Sequence, residues 1–188
     1  MWGGVGGRGG SEITTRVDGI PGSRGTDDVG PFLLLGARVE VFPAPASPVG
    51  RHFGFAFDLQ AFGGETSVSL GTGPPREAYL SGAAVMAWGV VRFQGRQWEA
   101  HLGAGTSLLW ATRLGDIYGV QEDDTDVEVP LGLSVMAGAR WNHPNGWFLL
   151  LEIRQERGEN TFEFERPRSV VDLDWRMNQF VIGTGYRF

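Results

Sequence analysis

The chain has 188 residues, enough for one domain with a full-sized core, and we assign residues 1–188 to a single domain. It contains no cysteine, which excludes disulfides and thiol chemistry, and its formal net charge of −6 argues against a partner such as nucleic acid. No run of about 18 apolar residues is present, so no transmembrane helix is expected.

The first half of the chain predicts four strands from alternating apolar and polar residues. The predicted strands are residues 2–8, 32–42, 53–62 and 78–93, the first of them weakened by its glycines. The connections between them are a long polar loop at 9–30, a proline-rich connection at 43–51 and a second long loop at 63–77.

The second half predicts four more strands, at residues 97–112, 127–141, 147–156 and 177–188. Its connections alternate in length as well: a tight turn at 94–96, a long acidic loop at 113–126, an Asn-Gly turn at 142–146 and a long loop at 157–174. An even number of strands joined by alternating short and long connections is typical of bacterial outer-membrane barrels.

The two faces of these strands differ strongly in polarity. In residues 53–62, for example, Phe53, Phe55 and Phe57 share one face, and Asp58 lies on the other. The apolar faces are nearly free of charge, while the opposite faces combine glycine with ionic residues. We predict that these ionic residues form a network inside the barrel: Arg38, Glu40, Asp58, Arg92, Glu99, His101, Glu128, Arg140, Glu152, Arg154 and Arg187.

This pattern predicts an all-β fold, an antiparallel up-and-down eight-stranded transmembrane β-barrel with lipid outside and paired charges inside. The alternative is a soluble β-sandwich or calycin-like barrel with an apolar centre. Aromatic residues gathered near the short connections favour the membrane barrel, because aromatic rings lie at membrane interfaces. The predicted interface aromatics are Phe53, Phe93, Trp98, Trp110, Trp141, Trp147, Tyr186 and Phe188.

The final strand carries a family resemblance. Its outward face places Phe180, Ile182, Tyr186 and Phe188 in one row, and its ending Gly-Thr-Gly-Tyr-Arg-Phe resembles that of the OmpX/Ail group of small bacterial outer-membrane β-barrels. The resemblance implies that these four residues form the signal read by the barrel assembly machinery. It also implies a monomer in the bacterial outer membrane, in contact with its lipid and lipopolysaccharide, and a chain trimmed of its signal peptide.

The resemblance implies a structural or adhesin-like role, in which the long outer loops bind a surface ligand and the interior is filled by side chains. Two alternatives stay open: a narrow channel for ions or small solutes, as in OmpW-like barrels, and a lipid-modifying enzyme. The enzyme is disfavoured, because His101 lacks the His-x-Ser pattern of the lipid A deacylase barrels. We expect no cofactor, and we read the acidic residues of 122–128 as a solvated loop rather than a metal site.

Overall fold

The computed structural model describes the backbone of residues 2–8, 12–17, 24–68, 76–115, 124–128, 133–165 and 168–187, and side chains within 33–65, 77, 79–108, 133–158 and 176–187. Ten β-strands lie in these ranges, with a 3₁₀ turn at Gly50–His52. The strands are β1 (Trp2–Arg8), β2 (Glu12–Val17), β3 (Arg24–Val41), β4 (Phe53–Val68), β5 (Arg76–Gln94), β6 (Trp98–Gly115), β7 (Asp124–Glu128), β8 (Ser134–Asn142), β9 (Trp147–Glu165) and β10 (Arg168–Tyr186).

All described pairings between these strands are antiparallel, and neighbours in sequence are neighbours in the sheet except for β1 with β2 and β7 with β8. From β3 to β6 each strand pairs with the next, β6 pairs with both β7 and β8, and the path continues through β9 to β10. β1 and β2 each pair with β3 on one side and with β10 on the other. The sheet is therefore a nearly closed, up-and-down barrel, as predicted.

The strands are longer than the alternation of apolar residues indicated. β9 and β10 pair without interruption from Trp147 opposite Tyr186 to Glu165 opposite Arg168. The prediction that residues 157–174 form a loop is therefore wrong, and strands likewise enter the predicted loops at 9–30, 63–77 and 113–126. Hairpin pairing continues the ladder of backbone hydrogen bonds beyond the apolar band, where polar residues occupy both faces and hide the period of two.

The short connections agree with the prediction. Residues 143–146 join β8 to β9, and Gly146 has a φ of 90°, a left-handed conformation that glycine adopts without strain. His143 and Gly146 close this turn through a backbone hydrogen bond of 3.0 Å. The turn thus sets the register of the β8–β9 hairpin.

The barrel has its polar side chains inside and its apolar side chains outside. On β9, Leu149, Leu151 and Ile153 are 48–58% exposed, whereas Glu152 and Arg154 are at most 3% exposed. Soluble sheets show the opposite polarity, because burial of apolar area stabilises their cores. The described part of the chain contains no helix with the length and apolar character needed to cross a membrane.

A β-bulge interrupts the register of β6. Ser107 pairs with Met86, but Leu109 pairs with Val85, so Leu108 is an extra residue on β6. Trp110 follows this bulge and is in register with Ala84. The side chain of Trp110 lies outside the described ones, so its predicted place on the outward face of Trp98 stays a prediction.

Candidate functional site

The centre of the barrel interior is an ion-pair cluster built around Arg38. The guanidinium of Arg38 donates from Nε to Oδ1 of Asp58 at 2.6 Å and from Nη2 to Oδ2 at 2.9 Å. It also donates from Nη1 to Oε2 of Glu152 at 2.8 Å, across the barrel from β3 to β9. These side chains meet because inward positions of different strands converge on one narrow interior.

Arg154 joins the same cluster from the strand that carries Glu152. Its Nη1 lies 3.0 Å from Oδ2 of Asp58, and its Nε donates to Oε1 of Glu152. Its guanidinium also lies 5.8 Å from the centre of the Trp88 ring. Asp58 and Glu152 therefore each contact two arginines, which compensates for the removal of four charges from water.

His101 reaches this cluster over a glycine. Its Nε2 is 2.8 Å from Oε2 of Glu152, although β8 lies between the strands that carry the two residues. Gly138 is the β8 residue in register with both. A Cβ at Gly138 would lie 2.6 Å from Cε1 of His101 and 2.7 Å from the carbonyl oxygen of Leu151, so only glycine leaves room for the contact.

A second charged layer lies nearer the short connections. Arg140 donates from Nη2 to Oε1 of Glu40 at 2.6 Å, and its Nη1 is 3.4 Å from Oε1 of Glu99. Arg92 lies 3.9 Å from Glu99 and stacks its guanidinium 3.3 Å from the centre of the Phe42 ring. Charge pairing and ring stacking together fill this end of the interior.

Toward the other end of the barrel, the described interior holds amide groups around one carboxylate. Gln60 and Gln179 both donate to Oε2 of Glu156, at 3.0 and 2.8 Å. Beyond this layer the buried inward side chains are apolar: Leu34, Phe62, Leu80 and Met177. Buried side chains therefore line the described interior at each of these levels.

The described interior charges nearly balance. Four arginines, Arg38, Arg92, Arg140 and Arg154, face five carboxylates, Glu40, Asp58, Glu99, Glu152 and Glu156, with His101 beside them. An isolated buried charge is costly, whereas a paired and hydrogen-bonded one is tolerated. This arrangement suits a filled, stable interior.

The same geometry offers little for catalysis. The inward serines of this region, Ser107 and Ser134, are buried, but they stand in register with Met86 and Gly105 rather than with His101. Among the side chains that the structure describes, Nε2 of His101 contacts only a carboxylate, and no group of three or more potential metal ligands occurs. No nucleophile–base pair is therefore assembled there.

Aromatic side chains surround the barrel at the end with the short connections. Phe53, Phe93, Trp98 and Tyr186 are each at least 50% exposed on the outward face. Trp141 and Trp147 are half-buried and meet edge to face at 5.2 Å between ring centres. His143 stacks on Trp147 at 4.8 Å between ring centres. The three rings are therefore in contact with one another at the turn that joins β8 to β9.

The outward row of β10 contains Phe180, Ile182, Thr184 and Tyr186. Thr184 is the polar exception, and its hydroxyl donates to the carbonyl oxygen of Phe148 on β9 at 2.9 Å. That bond accounts for a threonine on an otherwise apolar face. Phe188 lies outside the described residues, and the assembly signal stays a prediction.

Two members of the predicted ionic network are not among its described ion pairs. Arg187 follows the last residue of β10, its side chain is exposed, and its backbone N–H donates to the carbonyl oxygen of Gly146 at 2.8 Å. Its membership of the interior network therefore stays a prediction. Glu128 lies on β7 opposite Trp110, and its side chain lies outside the described ones.

The prediction also missed members of the interior. Glu156, Gln60 and Gln179 extend the network, although the prediction did not count them as site residues. Alternation alone placed all three on polar faces. The spacing of Glu156 could have identified it as an interior residue, because it continues the inward row of Glu152 and Arg154 on β9.

No protein-family model and no curated protein matches the sequence. Among solved structures, the outer membrane protein OprG from Pseudomonas aeruginosa is similar, with a TM-score of 0.58, 13% identity, and coverage of 99% of this chain and 96% of that one. Neisserial surface protein A has a TM-score of 0.46 at 14% identity (100% and 96% covered), and Ail, the attachment invasion locus protein of Yersinia pestis, 0.44 at 14% (100% and 98%). The likeness to OprG shows that the chain has the fold of a small outer-membrane β-barrel protein.

Proposed function

We propose that this protein spans the bacterial outer membrane as a monomeric barrel of eight passes. β1 and β2 supply one pass, because they occupy the same place between β3 and β10. β7 and β8 supply another, because both pair with β6. The remaining six strands supply one pass each, which gives the even number usual in bacterial barrels.

The observation that carries this proposal is the polarity of the wall. On β9 the outward apolar positions run from Trp147 to Ile153, and with Gln155 at the polar edge the span is nine residues. Crossing a bilayer takes about 9–11 strand residues. An apolar outer face that ends at a polar residue at this height, with an aromatic belt at the other edge and paired charges inside, is what hydrocarbon outside the wall requires.

We further propose a structural and surface-interaction role, adhesin-like in type, without enzymatic activity. β5, β9 and β10 are each 19 residues long, about twice the length needed to cross the membrane. Placing the aromatic belt and short connections on the periplasmic side directs the excess length outward. A rigid paired surface raised above the membrane suits contact with a ligand or another cell.

A narrow channel is the competing function, and the filled interior argues against it. The cluster of Arg38, Asp58, Glu152 and Arg154 links β3, β4 and β9 across the barrel interior. Buried charged groups bonded to each other in this way obstruct the passage of an ion or solute. An eight-stranded barrel is already only wide enough for side chains.

The test combines two measurements on the full chain. Folded protein in detergent is expected to migrate differently on an unheated gel from the heated form, as a stable barrel does. In planar bilayers the same preparation is expected to give no steady, discrete conductance steps. Absence of the gel shift contradicts the membrane barrel, and steady openings contradict the filled interior in favour of the channel.

A further inference from the structure

A groove of about 670 Å³ lies on the wall formed by β6, β8, β9 and β10. The register places four of its outward residues side by side in one row: Leu102, Ala137, Ile153 and Phe180. The small side chain of Ala137 forms a low point between the larger ones. The volume lies within the range of about 300–1,000 Å³ that is usual for ligand sites.

One edge of this groove is polar. Nε2 of Gln155 donates to Oδ1 of Asn178 at 2.9 Å, and Nη2 of Arg176 donates to Oε1 of Gln155 at 3.0 Å. These residues stand on outward positions of β9 and β10, next to the apolar row. The groove is therefore amphipathic, with hydrogen-bonding groups at the edge away from the short connections.

Two arginines meet at this polar edge. Arg157 and Arg176 are directly opposite each other in the β9–β10 register, and both side chains are exposed on the outward face. Like charges directly opposite on a sheet are destabilising, and an anion between them removes the repulsion.

We propose that this groove binds a phosphorylated glycolipid of the outer leaflet, with acyl chains on the apolar row and a phosphate between Arg157 and Arg176. Paired guanidinium groups bind phosphate through two parallel hydrogen bonds each, which suits a lipid headgroup held at a membrane surface. The polar edge is on the side away from the short connections, which face the periplasm in barrels of this kind. The inference rests on the proposed function, because it needs a membrane around the wall.

The test uses the intact chain folded in detergent micelles and native mass spectrometry. The probes are bisphosphorylated lipid A, the same lipid without phosphates, and phosphatidylglycerol. The wild-type protein is expected to retain the bisphosphorylated lipid in preference to the other two. Arg157→Gln with Arg176→Gln is expected to weaken retention by about tenfold or more, because contacts between charged groups are lost. Ala137→Trp is expected to weaken it by filling the groove.

The matched control is Arg51→Gln with Arg96→Gln, which removes the same charge at the opposite end of the barrel and is expected to leave retention unchanged. Unaltered retention in either groove variant overturns the site. Equal retention of the dephosphorylated lipid overturns the role of the arginine pair, and equal retention of phosphatidylglycerol overturns the glycolipid assignment. An unheated gel of each sample separates the two proposals: a folded barrel without lipid selectivity refutes the groove alone, whereas loss of the gel shift refutes the membrane barrel.

Discussion

Individual residues inside this barrel depend on one another for charge and for space. Glu152 contacts Arg38, His101 and Arg154 at once, while being 1% exposed. Replacing the carboxylate of Glu152 by an amide would leave these three basic groups without the negative charge that they contact. Because the pairs are buried, the cost of a missing partner is the cost of an uncompensated charge rather than of one lost contact.

Glu152→Gln is therefore expected to lower the free energy of unfolding by about 3–5 kcal/mol, the range for breaking a buried ion pair. Urea unfolding of the protein in lipid vesicles, followed by tryptophan fluorescence, measures the change. Glu65→Gln is the matched control, since Glu65 is an exposed carboxylate on β4. Equal stability of the two variants would show that the interior cluster is not held by charge pairing.

Gly138→Ala is expected to destabilise the barrel by about 1–3 kcal/mol, because the added methyl group overlaps His101 and the carbonyl oxygen of Leu151. Gly89→Ala is the control, since a Cβ there would have only one neighbour, at 3.8 Å. The same vesicle assay compares them. A Gly138 variant as stable as the Gly89 variant would indicate that His101 has room to move aside.

At the scale of the strands, the position of an outward residue along its strand decides its environment. On β9, Leu151 lies midway between Trp147 at the aromatic edge of the wall and Gln155 at its polar edge. The cost of a charge on the lipid face of a barrel depends on depth. The proposed membrane position therefore predicts that the cost of adding a charge to the outward face of β9 decreases from the middle of the band to its edge.

Leu151→Arg is expected to cost about 2–4 kcal/mol, and Gln155→Arg about 0–1 kcal/mol, because the first lies at the bilayer midplane and the second at the interface. Unfolding in vesicles of the two variants gives the comparison, with the same charge added in each. Equal costs would contradict a membrane at this height of the wall. A barrel in water would instead tolerate both arginines.

For the whole molecule, the distribution of arginines over the barrel predicts a pattern of proteolysis. All 16 basic residues other than histidine are arginine, so every trypsin site is an Arg. Arg38, Arg140 and Arg154 are buried inside the wall, whereas Arg51 and Arg96 are exposed at the short connections. Cleavage requires an accessible and locally extended backbone, which hydrogen-bonded barrel strands do not offer.

Trypsin added to the protein in permeabilised vesicles is expected to leave the bonds after Arg38, Arg140 and Arg154 intact. Mass spectrometry of the fragments identifies each cut, and the urea-unfolded chain is the control in which all sites are cut. Rapid cleavage after Arg154 in the vesicle sample would contradict a barrel that is folded throughout.

The sequence by itself determined which residues share a face, because a strand sends successive side chains to opposite sides whatever it packs against. It therefore predicted the outward row of Leu149, Leu151 and Ile153 and the turn at 142–146. It did not determine where the strands end, since polar residues on both faces of β9 and β10 remove the alternation while the hairpin pairing goes on.

Only the tertiary structure decided which face is concave and which charges meet. Asp58 and Glu152 are 20 and 114 residues from Arg38, and no local pattern links them. The bulge at Leu108 is likewise a property of two paired strands. The physical reason is the same in each case: contacts inside a barrel depend on register and curvature, which arise when strands pair and not along any one of them.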